Sequence, residues 1–390
     1  HDWYWAVENK LDSFIAKHDR DGKSDPQGCA ERVKQALREC YGAIMTLFDY
    51  YASAGTDLDV FSIGPNEFNM LLEECELGVK GSPECEKHHL EQMFIAVDAG
   101  QKVKEAFNLK RALSRSEFLQ ILVRTAVARY MRPPRGTPPA HTSVSEALME
   151  LLTEQIQPRL DPAALQVSNQ FREAFLYLPE TDQALSQHVE TLQAIYEVYS
   201  AMEHEMSDRV AMPNMLDYGE WLQMCSDLQL IDGEFTQREA TLCFLWSRIR
   251  IAKESDERER RKMCNLRFED FLEAITRMAT MKQVPTDAEC EEGGFSDGGE
   301  LLLDLRRTPN EYLRWLSDRP QGWNEGLRQP IWRCVHHLIA LIVRTVEQRV
   351  HGATGGVCDL KLTKSEVEKF SKSTAGQDFA EAVQKDKKEK

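Results

Sequence analysis

With 390 residues, 42% of them apolar, the chain can bury the cores of two or three domains. Charged side chains make up 29% and the net charge is −16. Such a surface repels phosphate backbones and anionic headgroups, so neither nucleic acid nor a bare membrane is an expected partner. The ten cysteines (Cys29, Cys40, Cys75, Cys85, Cys225, Cys243, Cys264, Cys290, Cys334 and Cys358) are scattered, and several fall inside helical apolar patterns. That reads as free thiols in a reducing, cytoplasmic compartment, not as a disulfide framework. The most apolar run, Val335 to Val343, holds two histidines and is too short to span a bilayer, and no signal peptide is visible. The first residue is His1, so a longer protein with an activity outside this stretch stays among the readings.

In chain order, Trp3, Tyr4, Trp5, Leu11, Phe14 and Ile15 give a helical pattern that Asp19-Arg-Asp-Gly22 interrupts. Val33, Leu37, Cys40, Ile44, Leu47, Phe48 and Tyr51 predict a strong helix ending at Ala54-Gly55. A further helix is expected over Glu67 to Cys75, and another over Glu84 to Val97. The one carrying Phe118, Ile121 and Leu122 should stop before Pro133-Pro134. Arg132–His141, with four prolines, reads as a rigid crossover; a helix over Ser143–Ile156 follows, with Ser143 or Ser145 as its N-cap. Val189, Leu192, Ile195, Tyr196 and Tyr199 open a second unit, and Thr236 with Glu239 makes a capping box. Glu254 to Lys262 reads as a solvated charge run, and Ile331 to Val346 as an apolar helix. The expected organisation is an N-terminal helix and loop (1–33), a first pair (34–131), a proline-rich linker with bridging helices (132–187) and a second pair (188–281). An acidic glycine-rich linker (282–300) and a C-terminal helical region with a frayed tail (301–390) complete it.

One pattern repeats: an apolar residue, three spacers, an acid and an aromatic opening an amphipathic helix. It occurs at Ile63/Glu67/Phe68, Leu113/Glu117/Phe118, Leu216/Glu220/Trp221 and Leu266/Asp270/Phe271, with a weaker fifth match at Leu362/Glu366/Val367. Ile63 and Leu113 are 50 positions apart, and so are Leu216 and Leu266.

In this the sequence resembles the EF-hand family over residues 34–131 and 188–281. The resemblance implies an all-α fold of two helix-loop-helix pairs joined by a helical bridge, plus a smaller C-terminal helical region. It also implies that Ile63, Leu113, Leu216 and Leu266 bridge partner hands, that Glu67, Glu117, Glu220 and Asp270 stand where a loop's closing acid would, and that paired hands present a groove for a partner helix. Calcium binding is not expected. A working loop needs early oxygen ligands and a glycine at its sixth place. Here the early places hold Thr56, Leu58 and Val60; Ala106, Asn108 and Lys110; Arg209, Ala211 and Pro213; Glu259, Arg261 and Met263; and Gly355, Val357 and Asp359. Asp57 with Asp59, and Asp19 with Asp21, are the best remaining candidates for a calcium-sensor alternative. The phrases Phe61-Ser-Ile-Gly-Pro-Asn-Glu-Phe68, Ser116-Glu-Phe-Leu-Gln-Ile-Leu-Val-Arg124 and Phe268-Glu-Asp-Phe-Leu-Glu-Ala-Ile-Thr-Arg277 resemble degenerate, calcium-independent EF-hand proteins of protist cilia. That resemblance implies a non-enzymatic axonemal or cytoskeletal scaffold whose partners are proteins, tubulin or axonemal components among them. Local basic spots, Arg132 and Arg135 or Arg258 to Lys262, would then meet acidic tails.

Cys85, His88 and His89 with nearby Cys75 are zinc-type ligands, but their pattern is that of an ordinary helix surface. Cys334 and His337 read as packed core, as do Trp221, Phe244 and Trp246. No phosphate loop, nucleophile elbow or metalloprotease motif is present, and no residue is assigned a catalytic, cofactor-binding or metal-binding role. An accessory region of a longer enzyme remains the other alternative.

Overall fold

Apolar residues at helical spacing produce helices wherever the sequence carries them, and the computed structural model is all-α. It describes residues 1–21, 25–55, 59–99, 111–201, 215–251, 256–319, 326–352 and 359–374. Among them are twenty α-helices, short π- and 3₁₀-helical turns, and one two-stranded β-pair. No helix among the described residues is long and apolar enough to cross a membrane.

The chain forms two compact units: residues 1–167 with 251–260, and residues 168–250 with 261–390. In the first, helices Asp2–Glu8 and Leu11–His18 meet at Lys10, whose φ of 68° puts it in the left-handed region. Ala6, Leu11 and Ile15 are fully buried, so the N-terminal stretch is part of this unit's core. Asp2 ties it in, accepting from the Tyr41 hydroxyl at 2.6 Å and from Arg115 Nε at 2.9 Å. Helices Pro26–Glu39 and Tyr41–Ala52 lead toward Ile63; Pro65–Glu74 leaves it, and Lys87–Ala99 and Arg115–Ala126 follow. Ile63 and Leu113 form an antiparallel β-bridge, with N–H donated in both directions at 3.1 and 2.8 Å. Glu76 O and Leu77 O, just past the end of Pro65–Glu74, receive the Arg129 guanidinium, and Gln155 Nε2 donates to Cys75 O at 2.7 Å. Side chains thereby satisfy carbonyls that a helix end leaves without partners.

In the second unit the same plan recurs. Leu216 pairs with Leu266 and Asp217 with Asn265 in the β-pair. Helices Val189–Tyr199, Tyr218–Asp227, Gln237–Ser247 and Phe268–Met281 surround it. Trp221, Phe244, Trp246 and Phe271 fill the core, each at most 1% exposed. Trp221 Nε1 finds Ala240 O at 2.9 Å, and the Tyr196 hydroxyl donates to Leu266 O at 3.0 Å, so burial strands neither polar atom. The long helix Ile331–His351 packs against Pro179–Gln187, Phe268–Met281 and Gly298–Arg307, and Lys364–Thr374 lies on Val189–Tyr199 and Ile331–His351.

The expected linker over 282–300 is not a linker. Helix Asp287–Gly293 starts on a Thr286/Glu289 capping box and ends at Gly294, whose φ of 72° is the left-handed cap that glycine adopts without strain. Gly298 and Gly299 open the next helix, which presses on Ile331–His351. A Cβ on Gly299 would fall 2.5 Å from the Ala340 carbonyl carbon, and one on Gly298 would fall 2.8 Å from the His337 ring. These glycines permit close helix packing, a use that composition alone cannot distinguish from flexibility.

Candidate functional site

The four repeated segments are the sequence feature with the clearest physical content. A helix start leaves backbone N–H groups without intrahelical partners, and an acid three residues past the cap can reach back to one. Glu117 Oε accepts from Ser114 N–H at 2.7 Å, and Ser114 Oγ accepts from Glu117 N–H at 3.4 Å. Glu220 accepts from Asp217 N–H at 2.9 Å, and Asp217 returns the bond at 2.8 Å. Asp270 accepts from Arg267 N–H at 3.1 Å and pairs with the Arg267 guanidinium at 3.0 Å. Glu67 lies against Gly64, where an added Cβ would fall 2.5 Å from its carboxylate. The apolar residue before each cap and the aromatic after each acid, as in Leu113 and Phe118 or Leu216 and Trp221, are fully buried. Reciprocal capping boxes thus account for the Glu117 and Glu220 segments without any ligand, Asp270 caps its helix start one way, and the Glu67 segment has no side-chain cap bond.

Of the candidate calcium residues, Asp59 folds its own turn, accepting from Phe61 N–H at 3.0 Å and from the Ser62 hydroxyl. Asp57 lies outside the described residues, as do most early loop positions. Asp19 is 1% exposed and accepts from Val144 N–H at 3.2 Å, so it caps helix Val144–Glu150. Ser143 and Ser145, expected to do this, bond to each other at 2.8 Å instead. Asp21 is exposed.

The zinc-type residues do not converge. Cys85 donates to Leu77 O at 3.4 Å, while His89 accepts from Glu86 N–H at 3.3 Å and its ring meets that of His88. Burial pushes the Cys75 and Cys85 thiols up to about 11, away from the thiolate that metals take. Among the described residues no group of three or more His, Cys, Asp or Glu could hold a metal ion. Cys334 and His337 sit in the core as expected; His337 Nδ1 accepts from Gly298 N–H at 3.0 Å, so its Nε2 carries the proton and donates to Asp287 at 2.9 Å. Of the basic spots, Arg132 is paired with Glu84, Arg135 is exposed, and Arg258 to Lys262 form part of helix Glu257–Cys264 beside Glu257 and Glu259.

Two polar clusters in the second unit escape sequence reasoning. Asp232 Oδ2 receives Lys282 Nζ at 2.6 Å, the Tyr312 hydroxyl at 2.9 Å and Arg306 at 3.2 Å, while Oδ1 receives the N–H groups of Glu234 and Phe235 at 3.2 and 3.0 Å. Despite the opposing effect of burial, these donors hold the carboxyl down at about 2. Lys282, with a side chain 3% exposed, is also pushed down, because burial outweighs the attraction of Asp232. Nearby, Arg319 stacks over Trp315 and binds Glu289. In the second cluster His188 Nε2 meets His336 Nδ1 at 3.0 Å, and burial, reinforced by His336, lowers His188 to about 4. The only local signal for Asp232 was Asp232-Gly233, which marks a turn and says nothing of partners 50 to 80 residues away.

These networks join helices: the carboxylates of Asp232, Glu289, Glu117, Glu220 and Asp270 are each committed to a backbone N–H or a cation. Comparison with protein-family models, with curated proteins and with solved structures finds no match to this chain.

Proposed function

We propose that this chain is a non-enzymatic scaffold built on two degenerate EF-hand-like pairs, binding protein partners without calcium. The observation that supports it most is the use of the repeat's acids: Glu117, Glu220 and Asp270 each accept a backbone N–H at the start of their own helix. A cation taking one of them would have to strip the acceptor from a helix-start N–H, and the sequence offers few early oxygens in return for the hydration it loses. The narrower assignment, to a ciliary axoneme or related microtubule cytoskeleton with tubulin or axonemal proteins as partners, rests on the three phrases that resemble protist ciliary proteins.

Calorimetric titration of the purified chain with calcium, repeated after magnesium at near-physiological salt, tests the reading. No binding heat at millimolar calcium is expected. Micromolar binding at one site would overturn it and make the Asp57/Asp59 segment a switch.

A further inference from the structure

The fifth copy of the repeat behaves unlike the other four. Ile63 bridges Leu113 and Leu216 pairs with Leu266 through backbone hydrogen bonds. Leu362, at the equivalent place, is held by a single side chain. Thr191 Oγ1 accepts from Leu362 N–H at 3.1 Å and donates to Leu360 O at 3.3 Å. The segment then makes its own capping box, Thr363 with Glu366, and continues as helix Lys364–Thr374. Leu360, Leu362, Val367 and Phe370 are buried beneath it. Two of its polar anchors are peripheral: Lys364 pairs with Glu197 at 2.9 Å and Glu366 with His351 at 2.9 Å, and in each pair one side chain is about half exposed. At the helix's far end Arg349 donates to Ser373 O at 3.3 Å and Thr374 hydrogen-bonds Asp227.

We infer that residues 359–374 act as an internal ligand of the second unit. The face they cover, on helices Val189–Tyr199 and Ile331–His351, is a recognition site for a partner protein's segment of the same chemistry. That segment opens with two apolar residues flanking one spacer, the first in the left-handed backbone region as Leu360 is at φ 50°, and then turns helical. It has Ser or Thr at the cap, a basic residue next, an acid at the third helical position, and apolar residues one and four places after the acid. Each requirement is read from the occupant. Thr191 takes the N–H and C=O of the two apolar residues that flank the spacer. Glu197 selects the basic residue, and the buried seats of Val367 and Phe370 select the apolar pair. Because side-chain contacts from Thr191, Glu197, His351, Arg349 and Asp227 and four apolar side chains provide the main hold, the segment can open while the core of the unit stays closed. Only the identification of the partner as a protein rests on the scaffold reading; the calcium titration above can fail without touching this site.

The test uses the full chain carrying Val367→Asp and Phe370→Asp, which expels the internal segment, and a fluorescent peptide of residues 359–374. By anisotropy the variant should bind the peptide at least tenfold tighter than the unaltered chain. A peptide with Lys364→Glu should bind the variant more weakly, and Glu197→Lys in the variant should restore its binding. A folded variant that ignores the peptide, or an unaltered chain that binds it equally well, overturns the inference. So does a variant that fails to fold, since the segment would then be part of the unit's core. Hydrogen exchange on the unaltered chain gives an independent reading. Amides of 364–374 opening before those of 331–351 support the inference, and exchange of both in one common opening refutes it.

Discussion

If Glu117 is a capping-box residue, replacing it separates local backbone chemistry from metal binding. Glu117 is fully buried and accepts Ser114 N–H at 2.7 Å. Glu117→Ala removes that acceptor, a loss of about 1 kcal/mol for a helix cap. It also removes one buried methylene, worth about 0.8 kcal/mol. The sum, about 1.8 kcal/mol, lowers the melting temperature of a unit this size by about 4–7 °C. Glu117→Gln keeps the acceptor at the same place, because glutamine serves equally in a capping box, and should cost about 1 kcal/mol or less. Thermal unfolding by circular dichroism, in chelator and in millimolar calcium, reads both. The expected order is unaltered chain, then Gln, then Ala, with calcium shifting none of the three. A Gln variant as damaged as the Ala variant would refute the capping role. Calcium that stabilises the unaltered chain and not the Gln variant would show that the carboxylate is a ligand.

The Asp232 cluster predicts an asymmetry. Asp232→Asn leaves Lys282 charged and buried, and should cost about 3–5 kcal/mol; Lys282→Met leaves Asp232 with Arg306, Tyr312 and two N–H groups, and should cost under about 1.5 kcal/mol. Urea denaturation giving the reverse order would defeat the buried-charge argument. The histidine pair predicts a pH dependence. His188 titrates at about 4 in the fold against 6.5 unfolded, so the unfolded chain takes the proton first. Its contribution is fully present above 6.5 and is lost as pH falls towards 4, by about 2 kcal/mol at pH 5 and at most about 3.4 kcal/mol below 4. His188→Gln should reduce the slope of stability between pH 6.5 and 4, to which His336 and His337, both lowered by burial, also contribute, and an unchanged slope would exclude His188 as a source.

The sequence by itself determined most of the helices, the repeated helix starts and the core aromatics Trp221, Phe244 and Trp246, because helical periodicity and helix-start patterns act over a few residues. The residues that the family resemblance implied as bridges do meet in pairs, Ile63 with Leu113 and Leu216 with Leu266. Tertiary structure alone decided what lies beyond that range. It made Asp19 a cap for a helix 125 residues away and gathered Lys282, Arg306 and Tyr312 on Asp232. It also turned Gly298 and Gly299 from an apparent linker into the contact of two helices. A polar side chain's own sequence tells what it can bond, not which donor folding will bring to it. A glycine's sequence tells that space is left open, not whether solvent or a second helix will fill it.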